Sequence, residues 1–316
     1  PLQELHAHLS GSVRASTLKE LSLAAGDGVI PDIHKVLDKP GRDLNDCFSI
    51  FAAIHKVLTT PDVIKRVARE VIDDFAADNV KYLELRTTPR AVPGSMTVAE
   101  YMEALLEAIR ETTADITVTL LLSVNRAEPL AKAAATVSLA IEKGYPVVGI
   151  DFSGNPNVGK FADFAPEFQR ARAAGLFTSV HTAEVMDPED TAAVLAFKPD
   201  RLGHMCVLTP KDKATLLAGK SIPIELCITS NELTLELGSP KHHPTLATWI
   251  EEGYPFALCT DDSGVFDVTL SQEMAKAADT CGMSPDDLAA VATRAARFVF
   301  APDATREALF RRLEHE

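Results

Sequence analysis

Short apolar runs alternate with longer amphipathic patterns along most of the chain. The runs ITVTLLLSV (116–124) and PFALC (255–259) are nearly all apolar, which is typical of strands buried on both faces of a parallel sheet. Between the runs lie helix patterns such as 97–111 and 166–175, the second of which ends in a glycine suited to a C-cap. We assign eight strands: Leu2–Leu9, Lys81–Thr87, Ile116–Val124, Val147–Phe152, Phe177–His181, Arg201–His204, Ile222–Ile228 and Phe256–Thr260. This alternation predicts an α/β fold, a closed (β/α)8 TIM barrel.

The span from Gly11 to Val80 departs from this alternation. It holds several helix patterns, such as DCFSIFAAIHKVL (46–58), before the second strand begins. We interpret it as a helical insertion between the first and second strands, lying over the barrel mouth. No repeat, low-complexity stretch or linker divides the sequence, so residues 1–316 are predicted to form one domain.

Composition and charge narrow the class of partner. The 316 residues are 46% hydrophobic and 24% charged, as in ordinary globular proteins. A net charge of −14 argues against nucleic-acid or anionic-membrane partners, and no apolar run approaches the ~20 residues of a membrane span. The five cysteines are scattered and form no C-x-x-C pair, which favours reduced thiols. We expect a cytoplasmic, monomeric enzyme with a small-molecule substrate.

Ionisable side chains cluster at four of the eight predicted strand ends. In barrel enzymes the active site forms at the carboxyl ends of the strands. Residues two apart on a strand point to the same face, so the pair on the first strand can converge on one ion. The cluster comprises four imidazoles and three carboxylates: His6 and His8 on the first strand, His181 and Glu184 at the fifth, His204 on the sixth, and Asp261 and Asp262 after the eighth.

Part of this cluster predicts a metal site. Three imidazole nitrogens and one carboxylate oxygen suit Zn²⁺, with a water molecule completing the coordination. A single histidine on a strand is more often a hydrogen-bonded core residue, but the whole set at equivalent strand ends favours a metal. We predict one zinc ion per chain with the ligands His6, His8, His181 and Asp261.

Four motifs resemble the adenosine deaminase family. ELHAHLSGS (4–12), HTAE (181–184), LGH (202–204) and CTDDSGVF (259–266) occur in the family's order and span nearly the whole chain. The H-x-H pair alone is shared by many metal hydrolases, but the four motifs together are specific. The resemblance implies a (β/α)8 barrel that uses a zinc-activated water to replace the 6-amino group of a purine.

The resemblance also implies roles for individual residues. Glu184 would protonate the purine N1, His204 would orient the attacking hydroxide, and Asp261 would accept the proton of the water. Substrate contacts would further involve His8, Asp262 at N7, and the backbone amide of Gly154 at N3. The family usually has glycine before the catalytic glutamate, where this chain has Ala183. We expect the extra methyl to crowd the site or to be absorbed by a small shift.

Residue 10 distinguishes branches of the family. Adenosine deaminases resemble H-x-H-L-D-G and adenine deaminases H-x-H-L-E-G, whereas this chain has Ser10. A carboxylate there would repel a 5′-phosphate, but a hydroxyl can donate a hydrogen bond to one. The second strand ends in RTTPR (86–90), whose guanidiniums and hydroxyls suit a phosphate, and His55 lies on the insertion. The substrate-binding residues that we predict on this basis are Ser10, His55, Thr87, Thr88, Pro89, Arg90 and Asn125.

The motifs LRTTPR, FSGNP, LCITSN and CTDDSGVF resemble the N6-methyl-AMP deaminase branch. That branch usually has Asn at position 10 and Asp at position 125, where this chain has Ser10 and Asn125. The resemblance implies conversion of N6-methyl-AMP to IMP and methylamine.

Alternatives remain for individual residues and for the function of the whole protein. Arg86 could pair with Glu84 or another barrel carboxylate, and Thr87 and Thr88 could be ordinary strand residues. The sequence HHP (242–244) predicts a loop that enters a helix. The alternative functions are an adenosine or AMP deaminase, another metal-dependent hydrolase on the same fold, and a catalytically silent deaminase-like nucleotide-binding protein.

Overall fold

The computed structural model describes residues 1–26, 33–39, 42, 44–142, 144–219 and 221–313. Within them, eight strands form one parallel sheet in which each strand pairs with the next along the chain. The strands are β1 Leu2–His8, β2 Val80–Thr87, β3 Thr117–Asn125, β4 Val147–Ser153, β5 Phe177–Thr182, β6 Arg201–His204, β7 Ile224–Leu226 and β8 Phe256–Leu258. The predicted (β/α)8 barrel is confirmed.

The barrel closes between its last and first strands through a short bridge. Ala7 pairs with Asp261 just beyond β8. The Asp261 amide donates to the His6 carbonyl at 2.8 Å, and the His8 amide donates to the Asp261 carbonyl at 2.9 Å. Closure therefore draws together the backbones of three residues that the sequence predicts to bind a metal.

Helices surround the sheet. Within the described residues they are α1 Ala15–Ala24, α2 Ile33–Leu37, α3 Leu44–Val57, α4 Pro61–Ala77, α5 Val98–Glu111, α6 Leu130–Glu142, α7 Phe161–Ala173, α8 Pro188–Phe197, α9 Pro210–Gly219, α10 Ile228–Thr234, α11 Leu246–Glu251, α12 Ser263–Phe266, α13 Leu270–Cys281, α14 Pro285–Ala295 and α15 Asp303–Leu313. None of them is long and apolar enough to cross a membrane.

The insertion predicted at Gly11–Val80 is helical, as expected, but its last helix belongs to the barrel. Helix α4 buries a continuous apolar stripe before β2, as a regular barrel helix does: Ile64, Val67, Ala68, Val71, Ile72 and Phe75. The inserted part is therefore α1 to α3. Residues 27–32, 40, 41 and 43 of the predicted insertion lie outside the described residues.

Most predicted strand ends differ from the structure by one or two residues, and two elements show a physical reason for the difference. Strand β7 is shorter than the predicted 222–228 because α10 begins at Ile228, immediately after Cys227. The helix predicted at 166–175 begins earlier, at Phe161, and continues through Pro166. Packing outweighs the hydrogen bond lost at the proline, since the rings of Phe161 and Phe168 lie 5.4 Å and 5.8 Å from that of Phe152.

Candidate active site

Three imidazoles and one carboxylate converge at the ends of β1, β5 and β8. The Nε2 atom of His181 lies 3.0 Å from the Nε2 of His6 and 3.2 Å from the Nε2 of His8. The Oδ1 atom of Asp261 lies 3.4 Å from the Nε2 of both His6 and His8. All but His8 are buried, and His8 is half-buried. All four side chains can therefore reach one point.

The spacing of these atoms fits a zinc ion. Nitrogen and oxygen ligands lie about 2.0–2.1 Å from a tetrahedral zinc, and therefore roughly 3.3 Å from one another. The separations of 3.0–3.4 Å between the donor atoms match that arrangement. Neutral imidazole nitrogens this close repel unless a cation or a proton lies between them. The donor set therefore suits a zinc held by His6, His8, His181 and Asp261.

Carboxylates inside the barrel lie against two of these imidazoles. Glu225 Oε2 lies 2.5 Å from the Nδ1 of His6, and Asp151 Oδ1 lies 3.0 Å from the Nδ1 of His181. The hydrogen bond with Glu225 fixes the His6 ring and directs its Nε2 toward a metal, whereas the Asp151–His181 contact lacks hydrogen-bond geometry and acts electrostatically. Burial and the Arg86 guanidinium lower the pKa of His6, but Glu225 and Asp261 outweigh them and raise it to about 9. A metal bound at the Nε2 of His6 would therefore displace a proton.

Two buried arginines balance these carboxylates. Arg86 donates to Asp151 at 2.9 Å and to Glu225 at 3.0 Å, and Arg201 donates to Glu225 at 2.6 Å and also pairs with Glu84. Arg86 is fully buried, so it cannot reach a substrate phosphate. The alternative in which Arg86 pairs with a barrel carboxylate is correct, although its partners are Asp151 and Glu225 rather than Glu84. The interaction matters because unpaired buried carboxylates would be costly.

The predicted acid, Glu184, and its neighbour His204 lie beside the four predicted metal ligands. The Oε2 atom of Glu184 is 3.7 Å from the Nε2 of His204, and the Glu184 side chain is 20% exposed. The Oε1 of Glu184 and the Nε2 of His204 are buried atoms without a hydrogen-bond partner among the described residues. Burial raises the pKa of Glu184 above its ordinary value. These two atoms are therefore free for a ligand, and Glu184 is suited to carry a proton.

The Asp261-Asp262 pair separates into two environments. The Ser230 hydroxyl donates to Asp261 Oδ2 at 2.7 Å, which leaves Oδ1 directed at the imidazoles. Burial raises the pKa of Asp261, but the surrounding imidazoles outweigh it and hold the pKa well below its usual range. Burial and the adjacent Asp261 raise the pKa of Asp262 well above its usual range. The Asp262 carboxyl packs against Gly11, where a Cβ would lie 1.5 Å from Asp262 Oδ1.

The backbone at the strand ends is strained. Ala183, His204 and Asp261 have φ angles of 55°, 64° and 63°, in the left-handed region that residues with a Cβ rarely adopt. Such conformations cluster at functional sites. Ala183 carries the penalty of a Cβ in this region, where glycine would carry none, and the crowding of the site by its methyl stays a prediction.

Gly154 and Asn125 lie together at the ends of β4 and β3. Gly154 has a φ of 104°, and a Cβ on it would lie 2.4 Å from the Oδ1 of Asn125. The Asn125 side chain accepts from the Ala127 amide at 2.9 Å. Gly154 is exposed, so its backbone is accessible to a ligand.

The residues predicted to bind a phosphate are only partly brought together. The Arg90 guanidinium lies 3.3 Å from the Nδ1 of His55 and donates to the carbonyls of His55 and Leu58 at the end of α3. Half-buried side chains near the paired ends of β1 and β2 are Ser10, Thr88 and Pro89. The prediction that Thr87 binds the phosphate is wrong, because the residue is buried and its hydroxyl is hydrogen-bonded to that of Tyr101 on α5 at 2.5 Å.

Several residues that sequence reasoning missed support the site. Each of the missed carboxylates lies within an otherwise apolar strand, as in GIDFS (149–153) and IEL (224–226), and that pattern could have marked them. Arg201 begins β6, and the remaining three lie on α10 or in the loop that follows it. The missed residues are Asp151, Arg201, Glu225, Ser230, Asn231 and His243.

The barrel, the imidazole–carboxylate cluster and the adjacent carboxylic acid define a metal-dependent barrel hydrolase. The adenosine deaminase family model matches residues 1–316. The N6-mAMP deaminase of Arabidopsis thaliana is 40% identical over 98% of this chain and 95% of its own length, and the human N6-Methyl-AMP deaminase is 37% identical over 100% and 93%. A crystal structure of Arabidopsis ADAL complexed with IMP has a TM-score of 0.93 at 40% identity, covering 99% of this chain and 96% of that one.

This chain therefore belongs to the adenosine deaminase family. It is a hydrolytic deaminase acting on C–N bonds in cyclic amidines.

Proposed function

We propose that this protein hydrolyses N6-methyl-AMP to IMP and methylamine, with one zinc ion bound by His6, His8, His181 and Asp261. The observation that carries the proposal is the cluster of four convergent donor atoms beside a protonatable Glu184, in a chain whose 40% identical relative is named N6-mAMP deaminase. A relative of the same identity also forms a complex with IMP.

The chemistry requires a nucleophile, an acid and a donor to the ring. Zinc, when bound, supplies the Lewis acidity that lets water act as a nucleophile near neutral pH. Glu184 is the acid in this proposal, because burial raises the pKa of its carboxyl and so favours the protonated form that can donate to purine N1. His204 contacts the attacking oxygen through Nε2, which has no protein partner among the described residues.

The purine is held from two further directions in this proposal. Purine N7 accepts hydrogen bonds, so a protonated Asp262 is a suitable donor to it. Purine N3 is also an acceptor, and the accessible amide of Gly154 can supply its hydrogen bond. Asn125 lies beside Gly154 and borders the ribose in this arrangement.

The preference for a 5′-phosphate rests on charge at the mouth of the barrel. Arg90 and His55 form one cluster there, and Ser10 contributes a hydroxyl where a carboxylate would repel the phosphate. Thr88 offers a second hydroxyl from the end of β2. The preference for a methylated amine rests on the relatives named above.

The direct test is product analysis on the purified, metal-analysed protein. We expect about one zinc per chain, and IMP and methylamine in equal amounts from N6-methyl-AMP by mass spectrometry. The His181→Ala variant removes one nitrogen ligand and should lose both the metal and the activity. Active protein without a bound transition metal would contradict the zinc assignment, and failure of zinc-loaded protein to form IMP would contradict the substrate assignment.

A further inference from the structure

Helix α10 supports the catalytic centre from behind. Its residue Ser230 donates to Asp261, and the side-chain amide nitrogen of Asn231 lies 3.1 Å from the Nδ1 of His204. The start of α10 is fixed by the buried Glu273, which accepts from the backbone amides of Ile228 and Thr229 at 2.9 Å and 3.1 Å. Two side chains of the site are therefore held by one short, anchored helix.

A second histidine determines how Asn231 is oriented. The Nδ1 of His243 lies 3.0 Å from the Leu246 amide nitrogen and 3.3 Å from that of Thr245, and an amide N–H can only donate. Nδ1 of His243 is therefore an acceptor, and the single proton of the neutral ring must lie on Nε2. Burial lowers the pKa of His243 to about 4, consistent with a neutral ring near pH 7.

The protonation of His243 determines which side-chain atom of Asn231 faces His204 in the catalytic centre. Nε2–H of His243 lies 3.2 Å from Asn231 Oδ1 and donates to it, so the Asn231 amide nitrogen must face His204. That nitrogen donates to Nδ1 of His204, which leaves the proton of a neutral His204 on Nε2. Nε2 is the His204 atom that lies 3.7 Å from Glu184 and has no protein partner among the described residues.

We propose that His243, acting through Asn231, holds His204 in its Nε2–H tautomer, so that His204 donates a hydrogen bond at the catalytic centre and does not accept a proton there. His243 is a positioning residue: it is 7% exposed, and its Nε2 lies 3.2 Å from Asn231 Oδ1 and 3.7 Å from Cys206 Sγ. The use of the donor in deamination rests on the proposed function, but the tautomer itself does not.

The tautomer can be measured directly by NMR. In the zinc-loaded protein labelled with ¹⁵N-histidine, long-range ¹H–¹⁵N correlations distinguish protonated from unprotonated ring nitrogens. The His204 signals are those missing from the His204→Gln variant. We expect wild-type His204 to be protonated on Nε2 only. A wild-type His204 protonated on Nδ1 would overturn the inference, whatever the activity.

Two variants at position 243 test the origin of the tautomer. Leucine fills space without a donor, so Asn231 can rotate its oxygen toward His204. The His243→Leu variant should therefore show His204 protonated on Nδ1 and a turnover reduced about 10-fold or more, with zinc content unchanged. Glutamine retains a donor to Asn231, so His243→Gln should keep the Nε2–H tautomer and turnover within about threefold. An Nε2–H tautomer retained in His243→Leu would refute the role of His243.

A third variant keeps the test decisive if His243→Leu does not fold. Asn231→Asp has nearly the same shape but only acceptor oxygens, so it should force the proton of His204 onto Nδ1. An unchanged tautomer in this variant would contradict the inference. Failure of the wild type to convert N6-methyl-AMP, with His204 protonated on Nε2, would instead refute the proposed function and leave this inference standing.

Discussion

The two ends of the site are built differently. The chemical end is the cluster of imidazoles and carboxylates at the strand ends. There the Nδ1 atoms of His6, His181 and His204 each lie against a buried partner, and Arg86 and Arg201, which pair with the carboxylates, are also buried. At the rim, where we propose that the 5′-phosphate binds, Arg90 contacts main-chain carbonyls of the insertion, and the side chains around it are half-buried.

The difference separates what determines the reaction from what determines the substrate. Groups held by several buried partners lose little conformational freedom on binding and can be positioned for a transition state. Half-buried hydroxyls and a guanidinium at the rim can be exchanged without disturbing the barrel. We therefore expect substitutions at the chemical end to lower turnover on every substrate, and substitutions at the rim to change the ranking of substrates.

The largest effect is expected at the acid. Glu184→Gln cannot release a proton to purine N1, so kcat should fall by about 10²–10⁴-fold on all substrates while zinc content and substrate affinity are kept. Steady-state kinetics and metal analysis check this, with the exposed Glu189→Gln as the control. Near-normal turnover in Glu184→Gln would move the acid role to another residue.

The buried, neutral His243 should make the free energy of unfolding depend on pH. The pKa of His243 is depressed from 6.5 to about 4, so the stability associated with its neutral ring is present above pH 6.5 and is lost as the pH falls toward 4. Between pH 7 and about pH 4.5, wild type should lose on the order of 2 kcal/mol more unfolding free energy than His243→Gln.

Urea unfolding at a series of pH values measures this loss. The matched control is His242→Gln at the exposed neighbouring position, which should follow the wild-type pH dependence. Parallel pH profiles for wild type and His243→Gln would contradict the lowered pKa of His243 in the folded protein.

At the rim, charge should reorder the substrates. Ser10→Asp places a carboxylate near the 5′ end and should lower kcat/KM for the nucleotide by at least ~10-fold relative to the nucleoside, because like charges repel. Ser10→Asn has the same shape without the charge and should keep the nucleotide preference. If both variants reduce nucleotide and nucleoside use equally, residue 10 does not contact the phosphate.

The smallest effect is expected for the strained backbone. Ala183→Gly removes the penalty of a Cβ at a φ of 55° and should raise the unfolding free energy by about 1 kcal/mol. The same substitution at Ala25, whose φ is −75°, should lower it. Thermal or urea unfolding of both variants distinguishes strain at residue 183 from a general effect of glycine.

The chemical end could be predicted from the sequence because its residues follow directly after apolar strands, where a barrel places its active site. The supporting residues could not be predicted, since His243 is far from His204 in the chain and reaches its ring through the side chain of Asn231 on α10. The rim was predicted less well: Arg86 and Thr87 are neighbours on one strand, so alternation sends their side chains to opposite faces. That rule shows that Arg86 and Thr87 cannot both face one phosphate, and in the structure neither is at the rim, since Arg86 pairs with barrel carboxylates and Thr87 bonds to Tyr101.

The central claim is that the barrel mouth selects a nucleotide for a deamination carried out at the strand ends. The most direct measurement compares kcat/KM for N6-methyl-AMP, AMP and adenosine on one zinc-loaded preparation. Two charge-assisted hydrogen bonds to the phosphate contribute ~1.5–3 kcal/mol each, so kcat/KM for adenosine should be lower than that for AMP by about 10²-fold or more. We also predict a higher value for N6-methyl-AMP than for AMP. Adenosine converted as efficiently as the nucleotides would contradict the claim.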